Sequence, residues 1–323
     1  KGNIVAEGKI KEYLSQFYQK NFTDEFIEPA IVEYQNNQKY FIQNNDSILF
    51  FNCRPSDSSM EIFLKAFLDS NFNLFSVNNK PSSLDVATFV NYKAELDYKV
   101  AFPEEALANT LAEVLSQNNK HQLRLAESEK ALHVTYFFDG LKEKPFPGEY
   151  WTIVPSLPTV QRSKLLEMMA PILTERVVQA MEENIYDFIV VNYANPDLIA
   201  HSGDIEAAQQ VVKIIDEEVH KIIEPALKQN YFVLVTSDHG NIERMRNPYT
   251  GTIELTHNTN LVPLYLIANR WHYATPFIAS QIEQREKEAL GLLCDLAPTI
   301  LEILNIAKPP EMTGNSLLKL LNL

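Results

Sequence analysis

The sequence predicts an α/β fold in which helices flank a mainly parallel β-sheet. Short apolar runs rich in β-branched and aromatic residues alternate with longer segments that carry apolar residues every three or four positions. The short runs are typical of buried strands, and the longer segments are typical of amphipathic helices. Strands that alternate with helices form βαβ units, whose strands run parallel. Ligands of such sheets bind beyond the carboxyl ends of the strands, so chemistry should be sought there.

The individual elements follow from the same two patterns. Predicted strands cover residues 46–54, 133–138, 187–193, 231–237 and 262–268. Predicted helices cover residues 10–20, 59–69, 104–117, 165–181 and a long segment after Gly203. One apolar stripe predicts the buried face of that long helix, namely Ile205, Ala208, Val212, Ile215, Val219 and Ile222. Pro225 lies near its predicted end, and Asp216, Glu217 and Glu218 are expected to form a solvated face.

Composition excludes several classes of partner. The 323 residues carry a formal net charge of −14, which would repel nucleic acids and anionic membranes. The two cysteines, Cys53 and Cys294, are too few for a disulfide framework and indicate a reducing, cytoplasmic compartment. No apolar stretch approaches the ~20 residues that span a bilayer, and the amino terminus lacks the apolar core of a signal peptide. Because the first residue is Lys1, we expect that residues were removed or that the chain begins within a longer gene product.

Metal-binding residue types cluster at the ends of three predicted strands. Asp197 and His201 follow one strand and are four residues apart, so both can face one ion if the segment is helical. Asp238 and His239 come directly after the next strand, and His257 precedes the last one. Imidazole and carboxylate together suit Mn²⁺, Zn²⁺ or Fe²⁺ better than an all-oxygen site for Ca²⁺ or Mg²⁺. Two adjacent ions would serve phosphoryl chemistry.

A simpler interpretation exists for each residue taken alone. A single loop aspartate is often solvated or caps a helix, and the DHGN sequence at 238–241 is compatible with an ordinary turn. Five ligand-type residues at three strand ends favour a metal site over these alternatives. His121, His220 and His272 have no such neighbours in the sequence.

The segments that carry these residues have a family signature. The chain resembles cofactor-independent phosphoglycerate mutase, a member of the alkaline phosphatase superfamily, along its whole length. The resemblance is carried by YDFIVVNYANPDLIAHSGDIEAA, VTSDHGNIERM, THNTNLVP, QLRLAESEKALHVTYFFDG, DEFIEPAIV, FFNCRP, APTILEILNI and EMTGNSL. It implies that residues 104–323 form an alkaline-phosphatase-like, metal-binding domain. Residues 1–103 would then be the carboxyl-terminal part of a second α/β domain, which binds the substrate.

The resemblance also implies site residues. Asp197, His201 and His257 match the family's ligands for one manganese ion, and Asp238 and His239 match two ligands of a second. Zn²⁺, Co²⁺ or Mg²⁺ are alternatives, because family members differ in their metal preference.

Two basic residues gain a role only from the resemblance. Lys130 matches an active-site lysine near the transferred phosphoryl group, where a compact cation neutralises a phosphoryl oxygen. Arg54 matches a substrate-binding arginine, whose planar fork suits a carboxylate or a phosphate. The implied reaction interconverts 3-phosphoglycerate and 2-phosphoglycerate in glycolysis through a phosphoserine intermediate, in a monomeric enzyme.

The sequence departs from the family at several places. No stretch matches the family's amino-terminal segment, which supplies the nucleophilic serine and an aspartate ligand, or the first part of its substrate domain. Asp57 stands where the family has a second arginine, and a carboxylate there would repel an anionic substrate. Gln161, Arg162 and Ser163 stand where the family has Thr-Tyr-Asp. We therefore expect that these 323 residues alone do not catalyse the mutase reaction.

Three functions stay open at this point. The first is a mutase whose serine segment lies outside these residues. The second is a metal-dependent phosphatase or another phosphosugar mutase of the same superfamily, which the change at Asp57 suggests. The third is a non-enzymatic, metal-binding relative. The segment QLRLAESEKALHVTYFFDG favours the first over the second, because it matches phosphoglycerate mutase more closely than the wider superfamily.

Overall fold

The computed structural model describes most of the chain. The described residues are 3–20, 22, 27–34, 41–54, 58–77, 79–92, 96–103, 105, 107–158, 165–271, 277–285 and 287–320. Asp57, His272 and residues 161–163, which the sequence singled out, lie outside them. The chain divides into two compact units, Lys1–Glu105 and Ala106–Leu323.

The first unit contains two small parallel sheets. Strands β1 (Asn3–Ala6) and β2 (Ala30–Glu33) pair with each other. Strands β3 (Ser47–Phe50), β4 (Asp85–Thr88) and β5 (Lys99–Val100) pair in that order. The helices of this unit are α1 (Ile10–Tyr18) and α2 (Ser58–Leu68). Its core is the cluster of Phe50, Leu64, Val86 and Tyr92.

The second unit is built around a parallel three-stranded sheet. Strand β6 (Gln122–Glu127) lies between β7 (Glu149–Val154) and β8 (Phe188–Val191), and both neighbours run parallel to it. Strands β9 (Val233–Thr236) and β10 (Leu264–Ile267) form a separate antiparallel pair. The helices are α3 (Leu111–Gln117), α4 (Ala131–Val134), α5 (Ala170–Glu183), α6 (Asn195–Ala200), α7 (Ile205–Lys228), α8 (Ala279–Arg285) and α9 (Leu296–Ile303).

Helices cover both faces of strand β6. Leu123 and Leu125 on one face pack with apolar residues of α5 and α7. On the other face, Gln122 Nε2 donates to the carbonyl oxygen of Ala112 in α3 at 2.8 Å, and α3 packs against α9. All six residues of β6 are consequently buried. The predicted α/β fold with a mainly parallel sheet flanked by helices is confirmed.

The predicted strand at 133–138 is wrong. Helix α4 covers Ala131–Val134, and turns follow up to Gly140. The hydroxyl of Thr135 donates to the carbonyl oxygen of Ala131 at 2.8 Å, which satisfies the end of the helix locally. Gly140 then adopts a φ of 70°, which glycine tolerates without strain. Most of the β-branched and aromatic residues of this stretch are buried in a helix and turns instead, whereas Phe137 is 39% exposed.

Two predicted helices begin later than their apolar pattern indicates. Helix α3 begins at Leu111, because Asn109 has a left-handed φ of 56° and Thr110 caps the first turn. Helix α5 begins at Ala170, with Pro171 in its first turn, where the missing N–H has no intrahelical partner to lose.

The buried face of α7 differs from the predicted stripe. Ala208 and Ile222 are buried, but Val212 is 50% exposed and Val211 is fully buried in its place. Val211 packs with residues of α6, which draws the buried face toward that helix. Glu218, expected on a solvated face, is buried, and Lys221 Nζ donates to its carboxylate at 2.7 Å.

None of the helices in the described part of the chain combines the length and the hydropathy needed to cross a bilayer.

A buried arginine lies at the middle of the central strand. Arg124 is fully buried in β6. Its Nε donates to Glu149 Oε1 at 3.2 Å, and its Nη2 donates to Gln122 Oε1 at 2.6 Å. The guanidinium lies 4.3 Å and 5.1 Å from the ring centroids of Phe138 and Phe188. Charge pairing and cation–π contacts together offset part of the loss of water around this cation, and burial still lowers the pKa of Arg124.

A second buried carboxyl faces the same arginine. Asp139 is fully buried, and its Oδ1 lies 3.9 Å from Arg124 Nη2. Burial and the adjacent Glu149 carboxylate raise the pKa of Asp139 to about 8, against the opposing charges of Arg124 and Lys142. At neutral pH one negative charge therefore faces one guanidinium.

We expect the second unit to lose stability as the pH rises from about 4 to about 8. The pKa of Asp139 is raised from 3.8 to about 8 in the folded chain. The protonated carboxyl therefore stabilises the fold fully at low pH, and this contribution is lost as the pH rises through about 8. Within this interval the loss should reach at most about 1.4 kcal/mol for each pH unit, which is the free energy that corresponds to one unit of pKa shift. Urea unfolding at several pH values measures it.

The matched variant is Asp139→Asn, whose side chain has nearly the same shape as aspartate but does not titrate. Its unfolding midpoint should change less over the same pH interval than that of the parent chain. An identical pH dependence in both proteins would contradict the assignment of this titration to Asp139.

Candidate metal centre

Three segments of the second unit bring the predicted ligands together. Helix α6 follows β8 and carries Asp197, and His201 ends this helix one turn later. Asp238 and His239 follow β9 directly, and His257 precedes β10. The spacing of four residues between Asp197 and His201 thus falls on a helical turn, as the sequence predicts.

Asp197 Oδ1 is the centre of the cluster. The Nε2 atoms of His257 and His201 lie 3.1 Å and 3.2 Å from it, and Nε2 of His239 lies 4.0 Å from it. The Nε2 atoms of His201 and His257 are 3.0 Å apart. The rings of His239 and His257 stack with centroids 3.6 Å apart. One carboxylate oxygen and three ring nitrogens therefore converge.

The orientation of His201 presents a lone pair to this cluster. Its Nδ1 lies 2.6 Å from the carbonyl oxygen of Leu255. A carbonyl oxygen only accepts, so Nδ1 carries the proton of the neutral ring. Nε2 is then unprotonated and faces Asp197 and His257. Metal-bound histidines are held in the same way, by a hydrogen bond from the ring nitrogen that does not bind the ion.

The cluster fits a divalent cation. Ligand atoms at about 2.0–2.1 Å around a tetrahedral ion are about 3.3 Å from one another. The separations of 3.0–3.2 Å among Asp197, His201 and His257 match this spacing. Asp197, His239 and His257 also form a group whose ligand atoms lie within 4.8 Å of one another. This His/Asp group could therefore hold a metal ion.

Lys130 binds the other oxygen of the central carboxylate. It lies in a turn directly after β6, and its Nζ donates to Asp197 Oδ2 at 2.5 Å. Both side chains are largely buried, at 12% and 15% exposure. Burial alone would raise the pKa of Asp197, but hydrogen bonds from Lys130 and Asn241 and the charge of Lys130 lower it to about 2. Asp197 is therefore a carboxylate at neutral pH.

The remaining predicted residues lie at the periphery or elsewhere. Asp238 is 60% exposed, and its Oδ2 lies 3.6 Å from His239 Nε2. Arg54 is exposed in the first unit, where its backbone N–H donates to Asn52 Oδ1 at 2.8 Å. The division of the ligands between two ions stays a prediction.

Sequence reasoning missed two residues next to the cluster. Asn241, the last residue of the DHGN motif, donates from Nδ2 to Asp197 Oδ1 at 3.0 Å. The motif itself was the available signal, but it is equally compatible with a turn. His133 was assigned to a strand, but lies in α4, where burial and the charge of Lys130 lower its pKa while Asp238 and Asp197 raise it. The net shift is downward, so His133 is neutral at physiological pH.

Fold and ligand set define a class of protein. The family model of the metalloenzyme superfamily matches residues 71–308, and the chain belongs to this superfamily. The family model of the amino terminus of 2,3-bisphosphoglycerate-independent phosphoglycerate mutase matches residues 1–94.

Similar proteins give a narrower comparison. The 2,3-bisphosphoglycerate-independent phosphoglycerate mutases of Clostridium botulinum and Antithamnion are 38% identical over 98% of this chain, which is 60% and 58% of their own lengths. The protein of the same name from Prochlorococcus marinus is 38% identical over 95% of this chain and 55% of its own length. The resemblance to this family is thereby confirmed. The chain spans about 60% of the length of these relatives.

A solved structure agrees with the fold. A crystal structure of Leishmania mexicana phosphoglycerate mutase at low cobalt concentration matches 98% of this chain and 58% of that chain. The TM-score is 0.75 and the sequence identity is 21%. This likeness supports the same arrangement of strands and helices.

Proposed function

We propose that this chain supplies the metal-binding and substrate-binding parts of a phosphoglycerate mutase, which interconverts 3-phosphoglycerate and 2-phosphoglycerate in glycolysis. The observation that carries the proposal is the convergence of Asp197 with His201, His239 and His257 beside Lys130. The names of the relatives support the substrate.

The ligands are proposed to serve two ions. Asp197, His201 and His257 would hold one divalent cation, and Asp238 and His239 would contribute to a second. Mn²⁺ is our first choice because a mixed carboxylate and imidazole set suits it, with Zn²⁺, Co²⁺ or Mg²⁺ as alternatives. Bound ions of this kind supply Lewis-acid stabilisation of phosphoryl charge and activation of a coordinated nucleophile.

The chain's own residues would bind and orient the substrate. The Lys130 ammonium has three donors, so it can keep its contact with Asp197 and also donate to a phosphoryl oxygen. Because this ammonium is largely buried, its charge is less screened than that of a surface lysine. Arg54 would bind the carboxylate or phosphate of the phosphoglycerate through its planar fork.

The nucleophile is proposed to come from a segment that these residues do not include. The family's serine and its aspartate ligand have no match in the sequence. A phosphatase or a different phosphosugar mutase is the second candidate, because Asp57 replaces a substrate arginine of the family. A non-enzymatic metal-binding chain is the third.

The test compares this chain alone with a chimera. The chimera joins it to the part of the Clostridium botulinum relative that it does not match. With Mn²⁺ and 3-phosphoglycerate, we expect the chimera to form 2-phosphoglycerate and the 323-residue chain to form none. A coupled assay detects 2-phosphoglycerate, and a parallel assay detects inorganic phosphate.

The outcomes separate the three candidates. Release of free phosphate would favour the phosphatase. Mn²⁺ binding without turnover in either protein would favour the non-enzymatic chain. Formation of 2-phosphoglycerate by the 323-residue chain alone would overturn the expected need for another segment.

A further inference from the structure

A buried amide links the helix that carries Asp197 to the loop that carries His239. Asn241 is only 4% exposed. Its Nδ2 donates to Asp197 Oδ1 at 3.0 Å, on the same oxygen that faces the imidazoles. Because Oδ1 accepts this hydrogen bond, the carboxylate of Asp197 cannot rotate freely about its Cβ–Cγ bond. Asn241 thus sets the direction in which the remaining lone pair of Oδ1 points.

A carboxylate links the same loop to the segment after His257. Glu243 Oε2 accepts from the backbone N–H of Asn241 at 2.7 Å. Glu243 Oε1 accepts from Asn260 Nδ2 at 2.8 Å. Burial alone would raise the pKa of Glu243, but these hydrogen bonds lower it. The charged carboxylate therefore joins two ligand-bearing loops.

Backbone pairing reinforces this link. The N–H of Asn258 donates to the carbonyl oxygen of Gly240 at 2.9 Å, in an antiparallel bridge. The two loops approach so closely that a Cβ on Gly240 would clash with Oδ1 of Asn258 and would lie 3.1 Å from Cγ of the same side chain. Gly240 permits this approach, which places the rings of His239 and His257 in stacking contact.

We propose that Asn241 and Glu243 are positioning residues that lock the three ligand-bearing segments into one metal-binding arrangement. The inference rests on the proposed metal site. Asp197, His239 and His257 come from three segments that are far apart in the sequence, so their mutual distances depend on cross-links between loops. Asn241 supplies the link to Asp197, and Glu243 supplies the link to the His257 segment. Such outer partners typically change metal affinity by about 10–100-fold.

The experiment measures Mn²⁺ affinity and metal-free stability in the same proteins. Glu243→Gln replaces one accepting oxygen by a donating amide, so either Asn241 or Asn260 loses its acceptor. Asn241→Ala removes the bond to Asp197. The matched control is Glu113→Gln, since Glu113 also accepts from a backbone N–H, that of Asn109 at 2.6 Å, and from a side-chain nitrogen. Titration calorimetry gives the affinity, and thermal unfolding in EDTA gives the stability.

We expect both Glu243→Gln and Asn241→Ala to weaken Mn²⁺ binding by about 10–100-fold. Glu113→Gln should bind Mn²⁺ like the parent chain, even where its metal-free midpoint falls as far as that of Glu243→Gln. Parent-like affinity in both site variants would overturn the inference, as would an equal loss of affinity in the control. If the parent chain itself takes up no Mn²⁺, the proposed metal site is wrong, and this inference falls with it.

Discussion

Replacing Asp197 by Asn is expected to weaken Mn²⁺ binding by at least about 100-fold, because loss of a direct ligand should exceed the 10–100-fold effect of an outer partner. Asp197 Oδ1 is the atom on which the imidazoles of His201 and His257 converge. A neutral amide removes the negative charge that balances a divalent cation. It also leaves the Lys130 ammonium, which is only 12% exposed, without its carboxylate. Calorimetric titration with Mn²⁺ measures the loss.

A matched control lies at the other end of the same strand. Asp187 precedes β8, and its carboxylate accepts from Lys120 Nζ at 2.8 Å and from the backbone N–H of His121 at 2.9 Å. Asp187→Asn should therefore lower stability through a similar lysine contact while leaving Mn²⁺ affinity unchanged. If Asp197→Asn and Asp187→Asn bound Mn²⁺ equally well, the cluster would not be the metal site.

The ligand cluster could be predicted because the residue types and spacings that indicate it lie within short segments of the sequence. Asp197 and His201 are one helical turn apart, and Asp238 and His239 follow a strand whose apolar run is unambiguous. The cross-links between loops could not be predicted in this way. Asn241 and Glu243 act through partners distant in the sequence, such as Asp197 and Asn260, and only the folded chain shows these pairs.

The sequence patterns did not predict the central strand β6, because several of its buried residues are polar. Gln122, Arg124 and Glu127 occupy half of the six positions of β6, and such residues normally indicate solvent exposure. They are buried because partners from other elements satisfy them, as Glu149 does for Arg124. The opposite error occurred at 133–138, where a strand was predicted but most of the β-branched and aromatic residues are buried in a helix and turns. In both segments, tertiary contacts determined the secondary structure against the local sequence pattern.

The same buried arginine carries the largest expected effect on stability. Arg124→Met should lower the free energy of unfolding of the second unit by about 3–5 kcal/mol, the range for removing one partner of a buried ion pair. Methionine matches much of the side-chain volume, so the loss reflects charge rather than a cavity. Glu149 and Asp139 would remain buried without a cation. Both tryptophans of the chain lie in this unit, so their fluorescence during urea unfolding reports on it alone.

Two further variants test whether the loss of stability in Arg124→Met comes from the buried ion pair. Arg176→Met removes an exposed arginine of α5 whose Nη1 donates to Gln179 Oε1 at 3.2 Å, and it should change stability by no more than about 0.5 kcal/mol. The double variant Arg124→Met, Glu149→Gln should be more stable than Arg124→Met, because it also removes a carboxylate that has lost its counter-charge. A double variant less stable than the single one would show that Glu149 stabilises the strand mainly through its bonds to Trp151 and Phe146 rather than through Arg124.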